Sequence, residues 1–186
     1  MIEKDQVLEI ENDVFVFGLI ADSYFDAITE YLKTITKWSD HELNDNKMFC
    51  HDGSLVMEND DFVYGVISEI VEEIRIEAEL RFNKKLVAHP FSIFKTIPGH
   101  TPHPHCDNSH LDGTPKEGRN FSISAVCYLN DGFTGGELVF PDLDLGFEPT
   151  KATVIMFPSG IEFMHYVDEV MSGERWALPL WFIESE

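Results

Sequence analysis

From Pro90 onward the chain breaks into short apolar runs separated by Gly and Pro, and this constrains the fold more than any other feature. The runs Phe91–Ile97, Ser122–Leu129, Glu137–Phe140, Thr153–Phe157, His165–Val167 and Trp176–Phe182 are strand candidates. Between them lie Pro98-Gly99, Gly132, Gly135-Gly136, Pro158 and Gly160, which favour turns over continued helix or strand. The first 85 residues have a different texture. Val14-Phe15-Val16-Phe17 predicts a short strand, and Asp22-Ser23 predicts the cap of a helix carrying Phe25, Ile28, Leu32 and Ile35. A second helix is predicted over about Asp60 to Phe82, with Phe62, Val66, Ile70 and Ile74 on its packed face. Strands that follow helices, rather than alternate with them, predict an antiparallel sandwich or jelly roll and disfavour a parallel α/β sheet.

At 186 residues one domain suffices, and fifteen Phe with three Trp can fill its core. We expect a supporting strand and helices in residues 1–85 and the jelly-roll catalytic core in 86–186. Lys and Arg total 13 against 34 Asp and Glu, a formal charge of −21. Such a surface repels phosphate backbones and anionic lipid, so neither nucleic acid nor membrane is an expected partner; a basic peptide or a small molecule is easier to accommodate. Cys50, Cys106 and Cys127 are odd in number and form no Cys-x-x-Cys pair, so no disulfide framework or thiolate zinc site is expected. The acidic opening Met1-Ile2-Glu3-Lys4-Asp5 lacks the apolar core of a signal peptide, and no apolar run approaches a membrane span. A cytoplasmic setting is the corresponding expectation.

Four of the eight histidines fall between His100 and His110. Side-chain direction in a strand repeats every two residues, so a His-x-Asp there would put both side chains on one face. One more imidazole would complete a 2-His-1-carboxylate face, a donor set that suits Fe(II) and leaves coordination positions open. Both His105-Cys106-Asp107 and His110-Leu111-Asp112 have the spacing. His165 is the sole histidine after His110 and therefore the candidate for the distal imidazole. Arg175 follows ten residues later, after Ser172-Gly173 and at the head of an apolar strand. One hairpin would bring it alongside His165. A buried guanidinium needs a carboxylate, and 2-oxoglutarate carries one at the end remote from its metal-chelating keto acid.

The run from Tyr128-Leu129-Asn130 through Gly135-Gly136 to Phe140-Pro141 resembles the Tyr-Leu-Asn, Gly-Gly and Phe-Pro signature of the prolyl-4-hydroxylase-like Fe(II)/2-oxoglutarate-dependent oxygenases. The order is also similar to that family: Pro98-Gly99, His105-x-Asp107, the signature, His165, Arg175 and Trp181. His105 lies six residues after Gly99, the spacing of the family, which favours it over His110. The resemblance covers about residues 90–182.

It implies a mainly β (α+β) fold, a double-stranded β-helix with N-terminal buttressing helices. It implies iron held by His105, Asp107 and His165, and the distal carboxylate of 2-oxoglutarate held by Arg175 with the Tyr128 hydroxyl. Thr96 occupies a cosubstrate-facing position where relatives often have Tyr; Ala152 replaces a frequent Gly, and Leu138 a frequent Thr. Trp181 would lie beside the site as a substrate contact. The implied reaction hydroxylates a C–H bond, using Fe(II), 2-oxoglutarate and O2 with ascorbate as a candidate reductant, and yields succinate and CO2. The implied substrate is a prolyl residue of a peptide or protein, with a free amino acid or other small molecule as the alternative. A metal-binding jelly roll without turnover is the alternative of another class. Residues Asn108 to Asn120, with Gly113, Pro115 and Gly118, are expected to cover the mouth of the site together with N-terminal residues.

Overall fold

In the computed structural model, which describes residues 3–40 and 47–185, alternation of side chains fixes the layers. Met1 and Ile2 of the acidic opening lie outside the described residues. In chain order the strands are β1 (Glu3–Lys4), β2 (Leu8–Glu11), β3 (Val14–Ile20), β4 (Ser39–Asp40), β5 (Met48–Asp52), β6 (Leu86–Ala88), β7 (Ser92–Thr96), β8 (Phe121–Tyr128), β9 (Thr134–Gly135), β10 (Leu138–Phe140), β11 (Leu145–Phe147), β12 (Thr153–Pro158), β13 (Tyr166–Val167), β14 (Val170–Ser172) and β15 (Arg175–Glu184). The helices are α1 (Asp22–Thr34), α2 (Gly53–Asn59) and α3 (Asp61–Phe82).

A major antiparallel sheet runs β1-β3-β12-β8-β15-β7-β5-β4, with β2 added beside β3 and β6 beside β15. The minor layer is built from β11-β10-β13 and the β14-β9 pair. On one face of the major sheet Ile123, Ala125 and Cys127 of β8 join Val154 and Met156 of β12 and Leu178, Leu180 and Phe182 of β15. That face packs on Phe25, Ile28 and Leu32 of α1 and on Val66, Ile67, Ile70 and Ile74 of α3. On the other face Tyr128, Ile155, Phe157 and Ala177 pack with Leu138 and Phe140 of the minor layer. The central strands are thus covered on both sides, which is why β8 is buried along most of its length. The architecture is a double-stranded β-helix buttressed by helices, as the strand pattern predicts. The N-terminal segment supplies more than support, since β1, β3 and β5 extend the major sheet.

Four local expectations need correction. The α1 cap is Ala21, without a side-chain cap, because β3 ends at Ile20 and leaves one residue for the turn; Asp22 sits in the first turn instead. Phe62 is 64% exposed, so the packed stripe of α3 begins at Val63. Asp60 caps that helix by accepting from Val63 N at 3.0 Å. The His105–Asp107 segment is no strand, since Pro102 and Pro104 lack the N–H a ladder requires; a single bridge to His165 holds it. Finally, His165 and Arg175 do not share a hairpin. The chain between them pairs with β10 through β13, then with β9 through β14, before β15 enters the major sheet.

Candidate metal and carboxylate site

Register on the major sheet gathers polar side chains onto the face opposite the helices. Arg175 stands across from Thr96 of β7, and Ala177 across from Tyr128 of β8. Two-residue steps then carry Arg175, Ala177, Pro179 and Trp181 to one side of β15, and Ser124, Val126 and Tyr128 to the same side of β8. All but Tyr128 line a single cavity of about 790 Å³, together with Thr96, His105, Asp107 and His165.

His105, Asp107 and His165 place their ligand atoms within 4.8 Å of one another. The two histidines face each other through a reciprocal backbone pair, His105 N to His165 O and His165 N to His105 O, both 2.9 Å. Nδ1 of His105 donates to the His103 carbonyl and Nδ1 of His165 to the Phe163 carbonyl, each at 2.9 Å. Those bonds fix both rings with Nε2 toward the cluster, the tautomer a metal ligand requires. Burial, with the neighbouring His165, lowers the His105 pKa to about 4, so the ring is neutral.

Asp107 is clamped. Its Oδ2 accepts from Ser124 Oγ at 2.6 Å, and Ser124 Oγ meets Ser159 Oγ at 2.8 Å. Its Oδ1 stands 3.7 Å from His105 Nε2. Burial alone would raise the carboxyl pKa, but His165, His105, Ser124 and the Trp181 N–H outweigh it, and the group stays ionised. Oδ2 is thus held by Ser124, and Oδ1 faces the two imidazoles.

Arg175 is 3% exposed and has no carboxylate within ion-pairing reach among the described residues. Its Nε donates to the Gly136 carbonyl at 3.1 Å, and its guanidinium carbon lies 5.1 Å from the centre of the Tyr128 ring. Among the described residues no hydrogen bond of ordinary geometry reaches the Tyr128 hydroxyl or the Thr96 hydroxyl, though both are fully buried. Burial raises the Tyr128 pKa against the pull of Arg175, so the phenol remains a donor. A buried cation with two unpaired hydroxyls beside it costs several kcal/mol unless an anion meets it. The group such a receptor fits is a carboxylate, which can take two parallel bonds from the guanidinium.

Residues 91–183 match the family model of the 2OG-Fe(II) oxygenase superfamily, half of the chain. The chain belongs to that superfamily. Among curated relatives, prolyl 3-hydroxylase 2 of Rattus norvegicus is 38% identical over 93 residues, 43% of this chain but 13% of that protein. Prolyl 3-hydroxylase 1 of Homo sapiens is 39% identical over 64 residues, covering 32% and 9%. The matched region therefore spans only about an eighth or less of those relatives' length. Among solved structures, the viral collagen prolyl hydroxylase of Paramecium Bursaria Chlorella virus-1 superposes with a TM-score of 0.67 at 19% identity, over 90% of this chain and 92% of that one. A Trichoplax adhaerens prolyl hydroxylase, in complex with a hypoxia inducible factor peptide fragment, gives 0.73 at 16% identity, over 93% and 84%. At such identities the likeness is one of fold.

For a 2OG-Fe(II) oxygenase the implied Fe(II) and 2-oxoglutarate suit the residues present: a cluster of two imidazoles and a carboxylate, and a buried arginine in the same cavity with no carboxylate partner among the described residues. The cavity brings together His105, Asp107, His165, Arg175, Thr96 and Trp181. Tyr128 lies behind Arg175 and does not line it. Trp181 stacks on Phe121, with ring centres 5.6 Å apart and 20° between planes. His110 lines the cavity but is not part of the three-donor cluster. Ser124 carries one signal in the sequence, its place four residues before Tyr128 on the same face of a strand, and that does not mark it as a partner of Asp107. No helix among the described residues is long and apolar enough to cross a membrane.

Proposed function

We propose that the chain is an Fe(II)- and 2-oxoglutarate-dependent dioxygenase that hydroxylates a C–H bond of a prolyl residue in a peptide or protein, with succinate and CO2 as coproducts. The observation that carries the reading is Arg175: a guanidinium buried without a carboxylate partner among the described residues, in the same cavity as a three-donor metal cluster. In this reading His105 and His165 bind iron through Nε2, and Asp107 through the oxygen that Ser124 leaves free. Arg175 receives the distal carboxylate of 2-oxoglutarate, the Thr96 hydroxyl has a donor to offer it, and Tyr128, expected to join them, instead backs the guanidinium with its ring. When bound, iron, cosubstrate and O2 together supply the oxidising power for hydroxylation while 2-oxoglutarate is decarboxylated.

The protein's own part is placement. The carbonyls of His103 and Phe163 hold both imidazoles in one orientation. The stacked Phe121 and Trp181 form an apolar wall that orients a ring-bearing substrate and keeps water from the reacting carbon. The prolyl choice draws on the prolyl hydroxylases among both the curated relatives and the structural neighbours. Ascorbate would serve as external reductant, restoring ferrous iron after uncoupled turnover.

The test is succinate release with Fe(II), 2-oxoglutarate, O2 and proline-containing peptides, read with the peptide mass. We expect succinate and one added oxygen on proline in equal amounts. Metal binding without succinate under any condition would instead favour a binding module.

A further inference from the structure

Cations outside any ion pair among the described residues include Lys37 and Lys85 away from the cavity, but three gather in the cavity lining of this acidic chain. Among the described residues seven lysines and arginines are ion-paired with Asp or Glu, including Arg75 and Arg81. The three that line the cavity, Arg175, Lys116 and Arg119, are not in any ion pair among the described residues. Arg175 is accounted for by the cosubstrate. Lys116 and Arg119 lie on the loop between Asp107 and β8.

That loop is built rather than loose. Ser109 bridges Pro115, Lys116 N donates to the Asn108 carbonyl at 2.9 Å, and Arg119 N donates to the Lys116 carbonyl at 3.2 Å. The Lys116 ammonium donates to the carbonyl of Cys106, between two of the cluster residues. The backbone bond from Arg119 to Lys116 keeps the two cations three residues apart on the lining of one cavity. Arg119 itself is exposed. Apart from Asp107, the single carboxylate in the cavity lining among the described residues is Glu117. In a chain with 34 Asp and Glu against 13 Lys and Arg, that inversion at one mouth is a local feature.

We propose that Arg119, with Lys116 behind it, receives a carboxylate of the substrate, so that the carbon to be oxidised lies a few bonds from an acidic group. The proposal rests on the oxygenase reading above and narrows its substrate. It reverses the expectation of a basic peptide from net charge. Screening explains the reversal: at physiological salt charges are felt over about 8 Å, so distant acidic residues count for little while a guanidinium in direct contact with a carboxylate still counts. The carboxylate has two possible sources, an Asp or Glu flanking the target in a peptide, or the free carboxylate of an amino acid.

The experiment measures binding to the enzyme loaded anaerobically with Fe(II) and 2-oxoglutarate. The probes are three peptides around one proline, flanked by Glu, Gln or Lys, and N-acetylproline. We expect the Glu peptide to bind ~10-fold or more tightly than the Lys peptide. Arg119→Ala should erase that preference and Arg119→Glu should invert it, with thermal melts confirming that this exposed position leaves the fold intact. Arg119-dependent binding of N-acetylproline without peptide binding also supports the proposal and assigns the carboxylate to a small molecule. Equal affinities, a preference indifferent to Arg119, or no binding by any probe overturns it. Admitting O2 separates the two readings: a bound acidic peptide that gains no oxygen sinks prolyl hydroxylation and leaves the carboxylate rule standing.

Discussion

The narrowest constraint in the molecule is the Ser124 hydroxyl, which holds one oxygen of Asp107 at 2.6 Å. With that bond the carboxylate can present one oxygen to an ion; without it the group can rotate or chelate through both. Ser124→Ala should therefore weaken Fe(II) binding by ~10–100-fold, the usual effect of losing a group that orients a ligand. A metal titration by calorimetry checks this, with unchanged circular dichroism as the control; unchanged affinity would remove the clamp from the account. At this scale the sequence is informative about donors and silent about their supports. His165 is identifiable because no other histidine follows His110. Ser124 and Ser159 are ordinary serines until β8 and the end of β12 bring them 2.8 Å apart. Arg119 is equally mute, since an unpaired cation is defined by neighbours that sequence does not list.

Elements explain why Arg175 can point where it does. Gly135 and Gly136 both have φ of +73°, and β9 ends in that turn. A methyl on Gly136 would stand 2.8 Å from Arg175 Cδ, while the Gly136 carbonyl accepts from Arg175 Nε. The Gly-Gly turn is thus the cradle of the arginine as well as a bend in the minor layer. Gly136→Ala should destabilise the fold by about 1–2 kcal/mol, the cost of a left-handed non-glycine residue. It should also weaken 2-oxoglutarate binding by displacing Arg175. A melting curve and a cosubstrate titration read the two effects separately, and a variant with native cosubstrate affinity would contradict the second. After Pro90, β7, β8, β10, β12, β13 and β15 were legible because Gly and Pro mark their ends, whereas the short β9, β11 and β14 were not; α3 was legible because its apolar stripe persists over 22 residues. The seven-residue α2 is too short for a periodicity to emerge, though Asp52 and Ser54 at its start form the cap that marks it. β1, β2 and β5 gave no alternation strong enough to find, because their place is set by pairing with β3 and β7.

Over the whole molecule, the helices seal one face of the major sheet so that the other can keep a cavity. One anchor of that layer is Glu77 of α3, 5% exposed and held by Lys4 of β1 at 2.9 Å and by Arg81 at 2.6 Å. Burial pushes its pKa up, but the two cations prevail and the net shift is downward. A depressed carboxylate adds stability above its unfolded pKa, about 4.3, and loses it as pH falls through the lower folded value. Glu77→Gln should therefore cost about 2 kcal/mol at neutral pH, with the gap from the native chain closing below about pH 4. Urea unfolding at several pH values measures it; a gap constant with pH would show that packing, and not charge, is what Glu77 contributes.

The central claim is that one cavity holds a metal at His105, Asp107 and His165 and a dicarboxylate at Arg175. Its most direct test is anaerobic addition of Fe(II) and then 2-oxoglutarate, watching for the weak visible charge-transfer band of the chelate. The native chain should show the band, His165→Ala none, and Arg175→Ala none at the cosubstrate concentration that saturates the native site. Bound iron without a band, or a band indifferent to Arg175, would contradict it.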